Sequence, residues 1–139
     1  MSVIVVGVDE TDTAAAAALT AAELAGALGA DLLVVSAFPT TTPDRTMSVE
    51  APTARDAAEQ LTRRVVATLS SAHPELRIEA DQEPGRPGDA LARAAEAAGA
   101  ELVVVGNKRT QGAARVLGSV AGDVVRKAPC DVYIAHTTG

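Results

Sequence analysis

Aromatic side chains are almost absent from this chain of 139 residues, which has one Phe, one Tyr and no Trp. A core built on packed aromatic rings is therefore excluded. The hydrophobic residues still make up 47% of the chain, and they are mostly Ala, Val and Leu. Ala-rich segments alternate with Val-rich segments, which is typical of α/β proteins whose helices pack on a sheet through small side chains.

Cysteine and positive charge are scarce as well. The single Cys130 cannot form an internal disulfide, which favours the cytoplasm as the location. We interpret it as a buried and unreactive thiol, because it opens an apolar segment. The formal net charge is -6, which argues against a nucleic-acid partner, since phosphate backbones need a basic face. No apolar run approaches the length of a membrane span, so we expect no membrane partner.

Several catalytic signatures are also missing from the sequence. There is no Gly-rich run ending in Gly-Lys-Ser/Thr, no Gly-x-Gly-x-x-Gly after the first predicted strand, and no Gly-x-Ser-x-Gly elbow. His73 and His136 lie far apart and lack clustered cysteine partners, which argues against a zinc site. We therefore expect neither catalytic residues nor a metal site.

Five apolar segments of strand length alternate with four segments of helical character. The sequence predicts strands at 3–8, 31–36, 76–81, 101–105 and 130–135, and helices at 13–28, 54–71, 87–98 and 119–127. Gly29 and Gly99 are placed to end two of the helices, and Thr11 or Asp12 to cap the first one. Apolar and polar residues alternate in the third strand, which predicts an edge position. The pattern indicates an α/β fold, and we treat residues 1–139 as a single domain.

The segment at 39–53 is rich in Pro and Thr and has no periodicity. A loop of this length in a compact domain is usually either functional or disordered, and both interpretations stay open. It follows the second predicted strand. If that strand is parallel to the fourth one, the loop lies at the same end of the sheet and could cover a crevice there.

The segment at 102–120 carries the strongest functional signal. Where a buried parallel strand ends, backbone amides and the next helix N-terminus point into a crevice. We predict that Gly106 turns the chain sharply off the fourth strand, and that Gly118 and Ser119 offer unhindered amides and a hydroxyl to a phosphate. Ser119 as an ordinary N-cap with Gly118 as a turn residue is the simpler interpretation. The presence of both glycine-containing turns favours the phosphate.

The fifth predicted strand has no helix after it that could cover its outer edge. An uncovered apolar edge invites pairing with a second chain. A homodimer through Val132, Tyr133 and Ile134 is therefore one expectation, and a monomer with a mildly protected edge is the other.

Five short motifs occur together over essentially the whole chain. They are VGVD at 6–9, GRP at 85–87, VVGNK at 104–108, LGSV at 117–120 and CDVYI at 130–134. In this combination the chain resembles the universal stress protein family. The resemblance implies a stress-response protein with a three-layer α/β/α fold of the adenine nucleotide alpha hydrolase-like type. It also implies five parallel strands in the order 3-2-1-4-5, with a crevice between strands one and four.

The resemblance further implies a ligand. Many members of the family bind ATP, and some bind AMP or cyclic AMP, through the pattern Gly-x2-Gly-x9-Gly-Ser/Thr. Val8 and Asp9 would lie at the adenine and ribose, and Gly118, Ser119 and Val120 at the phosphates. Carried onto this sequence, the resemblance implies a pocket for an adenine nucleotide, with or without Mg²⁺, at Val8, Asp9, Ala37, Gly106, Asn107, Arg109, Gly112, Gly118, Ser119 and Val120.

Arg109 departs from the family pattern. It stands where the family has its second glycine, and eight residues instead of nine separate it from Gly118. A guanidinium there could hold a phosphate through two hydrogen bonds or lie across the pocket and close it, and Gly112 could replace the missing glycine.

Two functions stay open, and neither of them is primarily catalytic. One is an adenine-nucleotide-binding stress protein, for which slow ATP hydrolysis is not excluded. The other is a family member whose pocket Arg109 has altered and which acts as a dimeric protein-interaction module. An adenylyl-transferring enzyme is disfavoured, because the His and Lys signatures of such enzymes are missing.

Overall fold

The computed structural model describes residues 2–40, 53–108 and 117–137. Arg109, Gly112 and most of the predicted loop at 39–53 lie outside these ranges. Strands and helices alternate in the described residues as β1 (Val3–Gly7), α1 (Asp12–Leu28), β2 (Asp31–Phe38), α2 (Ala54–Ala72), β3 (Ile78–Pro84), α3 (Pro87–Ala98), β4 (Leu102–Lys108), α4 (Ser119–Lys127) and β5 (Asp131–Thr137).

The five strands form one parallel sheet in the order β3-β2-β1-β4-β5. The predicted fold class and strand order are thereby confirmed. β1 lies at the centre, and its Val5 is paired with Leu33 of β2 on one side and Val103 of β4 on the other. The chain leaves β1 toward one half of the sheet and β4 toward the other. Such a reversal opens a crevice at the carboxyl ends of the two strands.

The helices cover both faces of the sheet. Alternate residues of β1 point to opposite faces, so Ile4 and Val6 belong to one hydrophobic cluster and Val5 to the other. The first cluster contains buried residues of α1 and α2, and the second contains buried residues of α3 and α4. Burial on both faces explains why the central strands are continuous apolar runs.

The helix ends follow local sequence signals. Thr11 caps α1, because its hydroxyl accepts a hydrogen bond from the Ala14 N–H at 3.1 Å. Gly29 ends α1 and Gly99 ends α3, both with a positive φ that a side chain would strain. Pro87 is the first residue of α3, where the missing N–H of proline costs nothing. These predictions from the sequence are confirmed.

Several strands end later than the sequence predicts. β4 runs to Lys108 instead of Val105, and Lys108 is paired with Thr137 of β5. β2 continues to Phe38, and β3 occupies Ile78–Pro84. The backbone hydrogen bonds of a ladder do not require apolar side chains, so the pairing continues into polar residues at the carboxyl edge. β3 is an edge strand, as its alternating pattern predicted.

The predicted sharp turn at Gly106 is wrong. Gly106 lies inside β4, where it is paired with Ala135, and its φ is not positive. A Cβ added to Gly106 would lie 2.7 Å from the carbonyl oxygen of Thr13, in the first turn of α1. The glycine is therefore required by close packing: it lets the backbone of α1 approach β4.

Candidate functional site

A cavity of about 410 Å³ opens at the carboxyl edge of the sheet. Its volume falls within the range of roughly 300–1,000 Å³ that is usual for small-molecule sites. Its walls are the ends of β1, β2 and β4 together with the first turns of α1, α3 and α4. The residues that line it are Gly7, Val8, Asp9, Thr11, Thr13, Ala14, Val35, Ala37, Pro87, Leu91, Val105, Gly106, Asn107, Lys108, Gly118, Ser119, Val120 and Ala121.

The structure brings most of the predicted site residues together in this cavity. The two that it does not place are Arg109 and Gly112, which lie outside the described residues. Whether any of the ten contacts a ligand stays a prediction. Those that line the cavity are Val8, Asp9, Ala37, Gly106, Asn107, Gly118, Ser119 and Val120.

The sequence analysis missed other parts of the lining. Lys108 follows Asn107 in the same motif and is exposed at the end of β4. Thr13 and Leu91 reach the cavity from α1 and α3, and Leu91 lies one turn after Pro87 at the start of its helix. The four-residue spacing from Pro87 was the available signal for Leu91. Thr13 gave no signal, because its place depends on its contact with Gly106.

The side chains of the residues just before α1 form hydrogen bonds at its N-terminus. One carboxylate oxygen of Asp9, Oδ1, accepts hydrogen bonds from the N–H of Thr11 at 2.8 Å and from its hydroxyl at 2.5 Å. The Thr11 hydroxyl in turn accepts from the Ala14 N–H. Asp12 adds a negative charge in the first turn, which the helix dipole favours. The first turn of α1 is thus stabilised without a ligand.

The N-terminus of α4 is built differently. Gly118 is its N-cap with an ordinary extended conformation, and no side chain caps the helix. The predicted alternative in which Ser119 is the N-cap is wrong, since Ser119 is the first helical residue. The N–H of Gly118 donates to Oδ1 of Asn107 at 2.7 Å. Ser119 and Val120 come next, and both line the cavity.

A comparison of the helices singles out α4. In α1 and α2 a threonine side chain caps the helix and an acidic residue lies in the first turn, and α3 has Asp89 in its first turn. Within the part of the chain that the structure describes, α4 alone has neither a side-chain cap nor an acidic first turn. Its last turn carries Arg126 and Lys127, which complement the negative end of the dipole. This helix therefore presents a positive, uncapped N-terminus to the cavity, an arrangement suited to an anion.

Two charged residues line the cavity in the described part of the chain, the negative Asp9 and the positive Lys108, and both are exposed. In the described ranges, no group of three or more His, Cys, Asp or Glu side chains is placed to hold a metal ion. None of the helices in these ranges combines the length and apolar character that crossing a membrane requires.

The thiol and the imidazoles do not line the cavity in the described residues. Cys130 is partly buried. Burial, and to a smaller extent the negative charge of Asp131, raise the pKa of its thiol, which disfavours the reactive thiolate. His73 ends α2 and is partly buried, whereas His136 is exposed on β5.

Comparison with known proteins agrees with the fold. The sequence pattern of the universal stress protein family matches residues 1–136. A universal stress protein of Mycobacterium tuberculosis is 34% identical over 144 aligned positions, which cover 97% of this chain and 96% of the relative. The crystal structure of a universal stress protein in complex with cAMP superposes with a TM-score of 0.76 at 28% identity, covering 99% of this chain and 98% of the other.

A family protein from Burkholderia pseudomallei superposes with a TM-score of 0.73 at 26% identity, covering 96% of this chain and 94% of the other. The family match spans most of the chain, and the relatives align over nearly their full lengths. The chain belongs to the universal stress protein family.

Proposed function

We propose that this member of the universal stress protein family binds an adenine nucleotide (ATP, AMP or cyclic AMP) in the cavity and acts in the stress response as a binding protein. The observation that carries the proposal is the uncapped, acid-free N-terminus of α4 in the cavity wall. The related protein that was crystallised with cAMP supports an adenine nucleotide as the ligand.

The phosphate lies at α4 in this proposal. The amides of Ser119 and Val120 and the hydroxyl of Ser119 supply donors, and the helix dipole favours the negative charge. Lys108 is the described cation that lines the same cavity. Arg109 and Gly112 lie outside the described residues. Both predicted roles of Arg109, to bind a phosphate or to close the pocket, stay predictions, as does the replacement of the missing glycine by Gly112.

The adenosine lies at β1 and β2. Val8 follows β1, and its N–H donates to the Val35 carbonyl oxygen at 2.9 Å, which keeps the ends of the two strands together. Val8 and Ala37 offer apolar walls to the base, and the Asp9 carboxylate accepts hydrogen bonds from ribose hydroxyls. If Mg²⁺ accompanies ATP, the phosphates supply most of its ligands, as is usual for this ion.

Binding is proposed rather than catalysis because the described lining offers little for proton transfer. Asp9 is the one carboxylate in that lining, and its Oδ1 already accepts two hydrogen bonds from Thr11. A general base must lie within hydrogen-bond reach of the proton that it removes, whereas the proposal places the Asp9 carboxylate at the ribose hydroxyls. Slow hydrolysis of ATP is compatible with this arrangement.

Calorimetric titration with AMP, ATP, cyclic AMP and adenosine, with and without Mg²⁺, tests the proposal. We expect saturable binding of at least one nucleotide and weaker binding of adenosine, which lacks the phosphate. Arg109→Gly is the informative variant: weaker binding identifies Arg109 as a phosphate ligand, and stronger binding identifies it as a plug. A folded wild-type protein that binds none of the four would contradict the proposal.

The second candidate function is a dimeric interaction module whose pocket Arg109 has altered. The observation that favours it is the outer edge of β5, which no other strand pairs with in the described residues. Tyr133 on this strand is 43% exposed, and Val132 and Ile134 are partly buried against the α3 and α4 side. We propose a homodimer through these three residues for either function. The cytoplasmic location inferred from the single cysteine stays a prediction.

Sedimentation tests the dimer. We expect the wild-type protein to sediment as a dimer at micromolar concentration, and Tyr133→Lys to shift it toward the monomer, because the added charge opposes edge-to-edge pairing. Glu79→Lys on the opposite edge strand is the matched control and should leave the sedimentation of the dimer unchanged. A monomeric wild-type protein would contradict dimerisation.

A further inference from the structure

Asn107 is one of three buried polar side chains among the described residues, with Ser36 and Thr62. Thr62 joins α2 to β3, since its hydroxyl donates to the Glu59 carbonyl oxygen and accepts from the side chain of Gln82. Asn107 is 7% exposed and lies in the wall of the cavity. A buried amide at this place needs a role, because burying a polar group is costly unless it is hydrogen-bonded.

The described hydrogen bond of Asn107 joins two walls of the cavity. Its Oδ1 accepts from the N–H of Gly118, eleven positions later, at 2.7 Å. Asn107 is near the end of β4, and Gly118 is the N-cap of α4. The bond therefore sets how far the first turn of α4 lies from the carboxyl end of β4.

Gly118 suits this contact sterically. A Cβ added there would lie 3.3 Å from the Asn107 oxygen, which is tighter than most such contacts. Gly118 has an ordinary negative φ, so the backbone conformation by itself does not demand glycine. The close approach of the Asn107 side chain to the backbone is the feature that glycine permits.

We infer that Asn107 is a positioning residue of the nucleotide site, which holds the start of α4 so that the amides of Ser119 and Val120 face the phosphate. This inference rests on the proposed function. The side-chain oxygen Oδ1 of Asn107 accepts the Gly118 N–H, and it cannot bind a phosphate, which is itself an acceptor. Through this oxygen Asn107 acts on the position of α4.

Three variants test the inference. Asn107→Ala removes the acceptor, and Asn107→Asp keeps an acceptor at that place while adding a negative charge. Arg126→Ala is the control, since it removes an exposed ion pair with Asp123 on α4 away from the cavity. Asn107→Ser replaces Asn107→Ala if the alanine variant does not fold.

Two measurements are made on each variant. The first is the hydrogen-exchange rate of the Gly118 amide in the ligand-free protein, observed by NMR. The second is the pair of affinities for AMP and for adenosine, which differ by the phosphate. A residue that only stabilises the fold does not change the ratio of these two affinities.

Loss of one hydrogen bond typically changes an equilibrium about fivefold to tenfold. In Asn107→Ala we expect the exchange of the Gly118 amide to accelerate by at least that factor, AMP to bind about tenfold more weakly, and adenosine to change less than about twofold. Asn107→Asp should keep the Gly118 amide protected and weaken AMP alone, through charge repulsion. The control should match the wild-type protein in both measurements.

Three results would overturn the inference. They are unchanged exchange of Gly118 in Asn107→Ala, accelerated exchange with unchanged AMP affinity, and equal losses for AMP and adenosine. A folded wild-type protein that binds none of AMP, ATP, cyclic AMP and adenosine would overturn the proposed function instead. The exchange rate of Gly118 would then still decide whether Asn107 positions α4.

Discussion

The helices α1 and α4 begin at the same cavity, but the backbone N–H groups at their N-termini are hydrogen-bonded in different ways. In α1 the Thr11 hydroxyl caps the helix and Asp9 holds Thr11, so the first turn is stabilised by residues within the same loop. In α4 no side chain caps the helix, and the Gly118 amide is held by Asn107 from another element.

This difference is the reason why the proposed function places the anionic part of the ligand at α4. A capped N-terminus with Asp9 and Asp12 beside it repels an anion, because the positive end of the dipole is already compensated. The N-terminus of α4 has no such compensation in its first turn. Four predictions test or extend the comparison, from the largest expected effect to the smallest.

The largest effect is expected from Gly106→Ala, which disturbs the approach of α1 to β4. The added Cβ would lie 2.7 Å from the Thr13 carbonyl oxygen, and overpacking of this kind typically destabilises a fold by about 1–3 kcal/mol. Gly26→Ala in α1 is the matched control: no atom lies within 4 Å of the added Cβ, and alanine in a helix is favoured by roughly 0.5–1 kcal/mol. Urea unfolding measures both, and equal stabilities of the two variants would contradict the packing role of Gly106.

Ser119→Asp should convert α4 into a helix like α1, with an acidic residue in its first turn. The helix dipole favours a carboxylate in the first turn, so the stability of the fold should not fall. The affinity for AMP should drop about tenfold or more, because the carboxylate repels the phosphate. Ser119→Asn has nearly the same size without the charge and should lose much less affinity. Calorimetric titration of AMP measures the difference, and equal affinities of the two variants would place the phosphate away from α4.

Thr11→Ala should remove the cap of α1. Loss of a threonine cap costs about 1 kcal/mol, and the variant should be less stable by that amount in urea unfolding. Thr11→Ser keeps a hydroxyl that can accept the Ala14 N–H and should remain close to the wild-type stability. The ratio of AMP to adenosine affinity should not change in either variant, and a change in it would show that the α1 end also serves the phosphate.

The smallest effect concerns α3, whose first turn contains Asp89. The hydrogen bond from Lys127 in the last turn of α4 lowers the pKa of Asp89 below its usual value of 3.8. A carboxyl with a lowered folded-state pKa contributes stability above its unfolded pKa and loses it as the pH falls through the folded one. Asp89→Asn should therefore be slightly less stable than the wild-type protein at neutral pH, and the difference should shrink below the usual pKa. Both groups are partly exposed, so the effect is small.

Unfolding curves at several pH values test this prediction. The control is Arg63→Gln, which removes an exposed ion pair with Glu59 on α2 and leaves Asp89 untouched. A constant difference between Asp89→Asn and the wild-type protein at all pH values would contradict the assignment to Asp89.

Much of the fold was predictable from the sequence because the signals are local. Val-rich runs predicted the central strands, Gly29 and Gly99 predicted two helix ends, and Thr11 predicted a cap. Most of the cavity lining followed from the family motifs, since these mark the ends of β1 and β4 and the start of α4. The order of the strands required the resemblance to the family, because alternating strands and helices alone do not specify it.

The sequence by itself determined the strand and helix pattern, the fold class and the region of the candidate site. Only the tertiary structure decided the role of Gly106, which depends on contact with Thr13, and the hydrogen bond between Asn107 and Gly118. It also decided where β4 ends, since that depends on pairing with β5. The reason is common to all three: each depends on an atom contributed by another element, and a pattern read along one segment contains no information about which element lies beside it.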